Sequence, residues 1–304
     1  MVTPRQLKEL YDQGENISSL LRKESLSNKN TEEIIEISYD LQSGSYISSL
    51  DDKEMAFLKR KYAAEVTRII LSLCPPSSVL EAGVGEATTL AEVVNSFPLE
   101  NLTDFYGFDL CWSRVAHAQA FLEKNVAKHV TLCTGSLFQI PFSNDSIDVV
   151  YTSHSIEPNG GSEIPILKEL YRVARKFIIL LEPGYEFASN ESKKRMIQHG
   201  YCRDLKLTIE SLGWKVLKHD LFPYSINPLN PTAITIIQKE TIPMHSSYEH
   251  VLACPKFKTP LTKIGDALFS PEGLCVYPIL GGVPCLRAEN SVIASHFPKI
   301  MMDR

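Results

Sequence analysis

The chain has 304 residues and is 44% hydrophobic, which is enough for one covered α/β core with a smaller appendage. Its formal net charge of -5 supplies no general basic field for a phosphate backbone, so a nucleic-acid partner is not expected. Seven scattered cysteines, an N-terminus without an apolar signal segment and the absence of a long apolar run predict a cytoplasmic protein with no membrane partner.

Residues 1–70 are predicted to form a helical cap, because apolar side chains recur there at helical spacing. Within this cap, residues 39–46 combine a glycine with an aromatic residue at each end, Tyr39 and Tyr46. The stretch is either a surface turn or a lid over a ligand. As a lid it would place both tyrosines over the ligand; as a turn it would only pack both rings onto the rest of the protein.

Between residues 71 and 241, short apolar runs alternate with helical patterns. This alternation predicts an α/β domain with a doubly wound, mostly parallel sheet of seven strands. The predicted strands are 79–82, 104–108, 129–133, 147–151, 177–181, 214–217 and 233–238. The predicted helices are 88–94, 113–124, 163–174 and one near 191–212.

A glycine-rich turn follows the first predicted strand and contains Glu81, Gly83 and Gly85. Glycines at this edge of an open sheet let the backbone approach a ligand closely. A nicotinamide dinucleotide fingerprint would need a third glycine at position 88, where the chain has Thr88. The next predicted strand ends in Asp109, near the spacing at which a carboxylate accepts hydrogen bonds from ribose hydroxyls. Taken singly, the glycines could serve tight packing, and the aspartate could cap the following helix.

The ordered set of segments resembles the class I methyltransferases that use S-adenosylmethionine (SAM), over roughly residues 39–240. Alanine replaces the usual third glycine of the first motif. Residues 134–142 resemble the segment that contacts adenine, although Ser136 stands where an aspartate is frequent. The resemblance implies a Rossmann-like fold with SAM as cofactor. The cofactor residues predicted on this basis are Glu81, Gly83, Gly85, Asp109, Ser136, Leu137, Tyr39 and Tyr46.

The loop after the fourth predicted strand carries the predicted catalytic residues, because topology places it beside the methyl group of the cofactor. His154 is predicted to be the general base, and Glu157 to orient it or to bind the substrate. Alternatively, the histidine is a structural hydrogen-bonding residue or packs beneath the cofactor, and the glutamate only begins a helix. Further pocket candidates are Tyr185, His199, Tyr201, Arg203, Tyr224 and Asn227.

Residues 242–304 are predicted to be a small β-rich module behind a linker at 242–244. The module resembles the small zinc-ribbon-like subunit that activates several tRNA, rRNA and protein methyltransferases. It lacks Cys-x-x-Cys pairs, so Cys254, Cys275 and Cys285 are predicted to be buried residues that bind no metal. We expect the module to pack on the catalytic domain, where it would shape the acceptor site or form a homodimer contact.

The sequence therefore predicts a SAM-dependent methyltransferase that acts on a small molecule or carbohydrate, at oxygen. The acidic charge and the helical cap favour this acceptor class. The C-terminal module favours a second hypothesis, in which RNA or a translation protein is the acceptor. Ser136 and the incomplete zinc ribbon favour a third, a protein that binds SAM without turnover.

Overall fold

The computed structural model describes residues 2–25, 29–240 and 251–303. The predicted linker at 242–244 lies outside the described residues. Within the described ranges, no helix is both long enough and apolar enough to cross a membrane.

The cap consists of helices that precede the sheet, as the apolar spacing predicts. They are α1 Pro4–Asp12, α2 Ile17–Glu24, α3 Glu32–Leu41, α4 Ser45–Ser48 and α5 Lys53–Leu73. Side chains of Thr3, Asn16, Thr31 and Asp52 accept hydrogen bonds from the first turns of α1, α2, α3 and α5, which fixes where these helices begin. Gly44 precedes α4 with φ +92°, a left-handed conformation that suits glycine.

In the described part of the chain, seven strands form the main sheet. They are β1 Ser78–Ala82, β2 Asp104–Asp109, β3 Val130–Thr134, β4 Ile147–Ser153, β5 Ala174–Pro183, β6 Lys215–Leu221 and β7 Thr232–Gln238. Their spatial order is β3-β2-β1-β4-β5-β7-β6. The first five are mutually parallel, and β7 runs antiparallel to both of its neighbours. The mostly parallel, Rossmann-like sheet that the sequence predicts is thereby confirmed.

Helices cover both faces of this sheet and enclose two apolar layers. The helices that follow the cap are α6 Thr88–Ser96, α7 Trp112–Asn125, α8 Glu163–Val173, α9 Asn190–His199 and α10 Leu205–Ser211. Side chains of α5, α6 and α7 pack on one face, and those of α8 and α10 pack on the other. The single helix predicted near 191–212 is wrong. Gly200 adopts φ +68° and ends α9, so the chain forms two shorter helices there.

The C-terminal module packs against the β3 edge of the main sheet. Its elements are β8 Thr262–Ile264, β9 Ala267–Ser270, β10 Cys275–Leu280, β11 Val283–Pro284, β12 Val292–Ile293 and α11 Phe297–Met302. Cys285 forms a parallel β-bridge with Thr134, the last residue of β3. The buried side chains of the module pack in the same apolar layer as those of α8, so the module is continuous with the core of the α/β domain.

The three cysteines of the module are buried and free. Cys254 Sγ lies 3.4 Å from the hydroxyl oxygen of Tyr277, whereas Cys285 lies against the main sheet. Among the residues that the structure describes, no group of three or more His, Cys, Asp or Glu side chains is arranged to hold a metal ion.

Candidate functional site

A cavity of about 430 Å³ lies at the carboxyl ends of the parallel strands, beneath the cap. This volume is in the range of small-molecule sites. Of the predicted cofactor residues, all line the cavity except Ser136, and both predicted catalytic residues line it as well. Tyr39 and Tyr46 belong to the lining, whereas residues 40–45 between them do not.

The sheet order determines which residues are neighbours along the cavity. Segments that follow β3, β2, β1 and β4 contribute to the lining in that spatial order. The segment resembling an adenine contact therefore lies at one end, followed by Asp109, then the glycine turn, and then the loop that holds His154. An elongated ligand could contact all four segments at once.

The glycine turn packs against the loop after β4 and also lines the cavity. Gly83 has φ +77°, and a Cβ atom at this position would lie 2.2 Å from Cβ of Ser155. The Ser155 hydroxyl donates a hydrogen bond of 2.6 Å to the carbonyl oxygen of Ala82, which holds the loop after β4 against the turn. Gly83 is therefore required by packing, and it also lines the cavity.

Asp109 is oriented by two backbone amides. The amide of Gly85 donates to Oδ2 at 2.9 Å, and the amide of Cys111, the residue before α7, donates to Oδ1 at 3.0 Å. The carboxylate thus caps the chain entering α7 and also faces the cavity. Its remaining lone pairs can accept hydrogen bonds from two adjacent hydroxyls.

Glu81, which is buried, and Lys59, which is half-buried, interact electrostatically beside the glycine turn. Burial raises the pKa of Glu81 to about 8, although the Tyr151 hydroxyl donates to its Oε2 at 2.7 Å. Burial lowers the pKa of Lys59, and nearby Glu81 partly opposes this shift. Both residues line the cavity. A zwitterion, which offers an ammonium group and a carboxylate, matches this pair.

Arg114 of α7 and Glu86 of the glycine turn contact residues 39–47 of the cap. The Arg114 guanidinium carbon lies 4.8 Å from the ring centroid of Tyr39 and 4.3 Å from that of Tyr46. Such cation–π contacts favour a closed arrangement of both rings. The Glu86 carboxylate accepts hydrogen bonds of 3.0 and 2.8 Å from the backbone amides of Gly44 and Ile47.

Ser136 does not line the cavity, contrary to its predicted contact with adenine. Its hydroxyl donates a 2.5 Å hydrogen bond to Oε1 of Glu32 and accepts one of 3.0 Å from the amide of Phe138. Glu32, the first residue of α3, lines the cavity instead. The Ser136 hydroxyl therefore donates its hydrogen bond to the cap and not to a ligand in the cavity.

His154 and Glu157 contact each other, as the sequence predicts. Nδ1 of His154 lies 2.5 Å from Oε2 of Glu157, and because a carboxylate only accepts, Nδ1 is the donor. Nε2 of His154 lies 2.8 Å from the Thr232 hydroxyl. Although burial alone would lower it, the bond to Glu157 raises the pKa of His154. Burial would raise the pKa of Glu157, but His154, Tyr201 and Asn230 together lower it.

Glu182, near the end of β5, fixes the loop that carries this pair. Its carboxylate accepts hydrogen bonds from the amides of Ser155, Ile156 and Glu157 at 3.2, 3.1 and 3.0 Å. Burial raises the pKa of Glu182 to about 7. Glu182 is not among the predicted site residues, although an acidic residue near the end of an apolar strand is a signal visible in the sequence.

The further pocket candidates divide into two groups. Asn227 lines the cavity, and Tyr201 contributes a hydrogen bond to Glu157 from behind. The others are absent from the lining and pack elsewhere: His199 on Tyr201, Arg203 over Tyr185, and Tyr224 on Phe222.

The C-terminal module contacts the cap and the β3 edge, at the opposite end of the cavity from His154. Arg287 forms ion pairs with Glu36 of α3 and with Glu289. The indole N–H of Trp112 donates to the Leu280 carbonyl at 3.3 Å. The expected acceptor-shaping role of the module does not fit this position, because β2 and β1 separate β3 from β4.

Comparison with known proteins gives one match in sequence. Residues 79–176 match a family model described as a methyltransferase domain. No curated protein matches the chain. The match identifies residues 79–176 as a methyltransferase domain, and this domain contains the glycine turn and Asp109, which line the cavity. The chain is therefore an enzyme that contains a methyltransferase domain, and the cofactor of this domain is SAM.

Several solved structures resemble the fold. The magnesium protoporphyrin IX methyltransferase of Synechocystis PCC 6803, solved with bound SAH, is 14% identical, with a TM-score of 0.49 over 60% of this chain and 84% of that chain. A SAM-dependent methyltransferase from Aquifex aeolicus is 17% identical, with a TM-score of 0.48 over 64% of this chain and 97% of its own. Similarity at this level says nothing about the acceptor of this chain.

Proposed function

We propose that this enzyme transfers the methyl group of SAM to a hydroxyl group of a small polyhydroxylated molecule, such as a carbohydrate. The observation that carries the proposal is the hydrogen-bonded pair of His154 and Glu157 at the carboxyl end of β4. It adjoins the glycine turn through Ser155, where the sulfonium end of SAM is expected.

The residues along the cavity fit the chemical groups of SAM in order. Lys59 and Glu81 match its carboxylate and ammonium groups, and Asp109 matches its ribose hydroxyls. SAM supplies an electrophilic methyl group when it is bound. The protein then has to align the acceptor and, for a hydroxyl, accept its proton.

His154 is suited to accept that proton. Because Nδ1 donates to Glu157, neutral imidazole keeps its lone pair on Nε2, where the Thr232 hydroxyl now donates. An acceptor hydroxyl that replaces Thr232 would transfer its proton to Nε2 as its oxygen attacks the methyl group. Glu157 would then stabilise the imidazolium, in the same way that it raises the pKa of His154.

The chemistry of this end of the cavity favours a neutral acceptor with several hydroxyls. Its lining includes the amides of Asn159, Asn227 and Asn230, which both donate and accept hydrogen bonds. Asn230 donates to Glu157 at 2.9 Å, while its Oδ1 is buried without a partner among the described residues. The loop after β4 and the 226–230 segment contribute no lysine or arginine to the lining, which disfavours an anionic acceptor.

The two other hypotheses predict different outcomes. The acidic net charge of -5 argues against an RNA acceptor, and the module lies away from His154. The ordered His154 and Glu157 pair argues against a protein that only binds SAM. A homodimer contact and a cytoplasmic location stay predictions.

A labelling experiment tests the acceptor class. Purified protein is incubated with methyl-tritiated SAM and with cell extract separated into small-molecule, RNA and protein fractions. We expect label in a low-molecular-weight product, and none with His154→Gln protein, whose SAH affinity should be unchanged. Label confined to RNA or protein would overturn the proposed acceptor. SAH binding without label in any fraction would favour the non-catalytic hypothesis.

A further inference from the structure

We propose that Glu32, supplied by the cap helix α3, binds the 6-amino group of the cofactor's adenine in place of the usual acidic residue on the sheet. The proposal rests on binding of SAM in the cavity, and it assigns a residue that the sequence pattern does not reveal.

The end of the cavity near β3 is suited to a flat aromatic ring. Its apolar lining consists of Ile35 from α3, Leu110 from the segment after β2, and Leu137 and Phe138 from the segment after β3. Glu32 of α3 adds a carboxylate to this lining, where it contacts Ser136 of the segment after β3. An aromatic ring with one exocyclic hydrogen-bond donor matches such an environment.

The contact between Glu32 and Ser136 explains why a serine is found at position 136. The Ser136 hydroxyl donates to Oε1 of Glu32, which leaves the Oε2 lone pairs for a further donor. An aspartate at position 136 would place a second carboxylate against Glu32, and the two negative charges would repel. The serine thus permits the cap to bring its own carboxylate to this end of the cavity.

Glu32 has the hydrogen-bonding character to distinguish a 6-amino purine from a 6-oxo purine. An ionised carboxylate only accepts hydrogen bonds, so it pairs with an amino group and repels a carbonyl oxygen. Burial raises the pKa of Glu32 above its ordinary value, the nearby carboxylates of Glu289 and Glu36 add to this, and the Ser136 hydroxyl and the Arg287 guanidinium partly oppose it. Arg287 of the C-terminal module thus favours the charged form of Glu32.

Arg287 also acts as a positioning residue. It forms an ion pair with Glu36, one helical turn after Glu32 on α3. Its guanidinium therefore holds the helix at the place where Glu32 meets Ser136. The module then contributes to the adenine end of the site without touching the cofactor.

Calorimetric titration with two ligands tests the assignment of Glu32. The ligands are SAH and S-inosylhomocysteine, in which a 6-oxo group replaces the 6-amino group and N1 carries a hydrogen. Wild-type protein should bind SAH about tenfold more tightly or better. Glu32→Gln protein should lose most of this preference, because an amide can also donate to a 6-oxo group. Glu32→Asp protein should keep the preference, because it keeps the carboxylate.

Glu33→Gln is the matched control, since Glu33 is the next residue of α3 and is exposed. It should bind both ligands like the wild type. A Glu32→Gln protein that keeps the wild-type preference would overturn the assignment while SAM binding still stands. Equal binding of the two ligands by the wild type would overturn it as well. Failure of the wild type to bind SAH would instead refute the cofactor site itself.

Discussion

Removal of the Asp109 carboxylate should weaken cofactor binding by an amount that the geometry allows us to estimate. A carboxylate has about four lone-pair positions, of which the amides of Gly85 and Cys111 occupy two. The remaining two can accept hydrogen bonds from the ribose hydroxyls. Hydrogen bonds to charged groups contribute about 1.5 to 3 kcal/mol each, reduced by the water that the free site already binds. We therefore expect Asp109→Ala to cost about 1 to 3 kcal/mol, or about 5- to 150-fold in the Kd for SAH.

The assay is calorimetric titration of wild-type and Asp109→Ala protein with SAH and with its 3′-deoxy analogue. The variant also frees two backbone amides, so a loss of affinity alone does not prove a ribose contact. If Asp109 binds the ribose, the missing hydroxyl should weaken wild-type binding and hardly affect the variant. An unchanged Kd for SAH, or an equal loss with both proteins on removal of the hydroxyl, would refute the assignment.

Three further predictions concern the acceptor end, the glycine turn and the module. Glu157→Gln should slow turnover and shift the acidic limb of the pH–rate profile to lower pH. A general base must be neutral, and without Glu157 the pKa of His154 is lower, so His154 stays neutral to a lower pH. An acidic limb at the wild-type pH would contradict this role of Glu157. Gly83→Ala should lower the melting temperature far more than Gly213→Ala. Both glycines have φ +77°, but a Cβ atom at position 213 would have nothing within 4 Å, whereas one at position 83 would collide with Ser155. Equal decreases in melting temperature would contradict the packing argument. Arg287→Met should raise the Kd for SAH about fivefold by releasing α3, and an unchanged Kd in calorimetry would exclude a positioning role.

Features that depend on local sequence were predictable. Apolar runs and turn residues locate the strands of the main sheet, and β1 with its glycine turn lies where the pattern places it. The contact of His154 with Glu157 follows from a spacing of three residues in one loop. The break between α9 and α10 was missed, because the apolar pattern continues through Gly200 and hides the end of a helix.

Features that depend on contacts between distant segments were not predictable. Glu32, Lys59 and Arg114 lie on three different helices, and no local motif indicates that they face one cavity. Ser136 was assigned to adenine because its partner on the cap, 104 residues earlier, is invisible in its own segment. The position of the module beside β3 depends on matching surfaces, and its sequence fixes only the presence of short strands.

The most direct test of the account is a structure of the protein in complex with SAH. We predict that SAH fills the cavity with its adenine beside Glu32, its ribose on Asp109, and its sulfur facing the His154 and Glu157 pair. This orientation would leave the space next to Nε2 of His154 for the acceptor hydroxyl. A complex in which the sulfur points away from His154, or in which SAH binds outside the cavity, would contradict the proposed function.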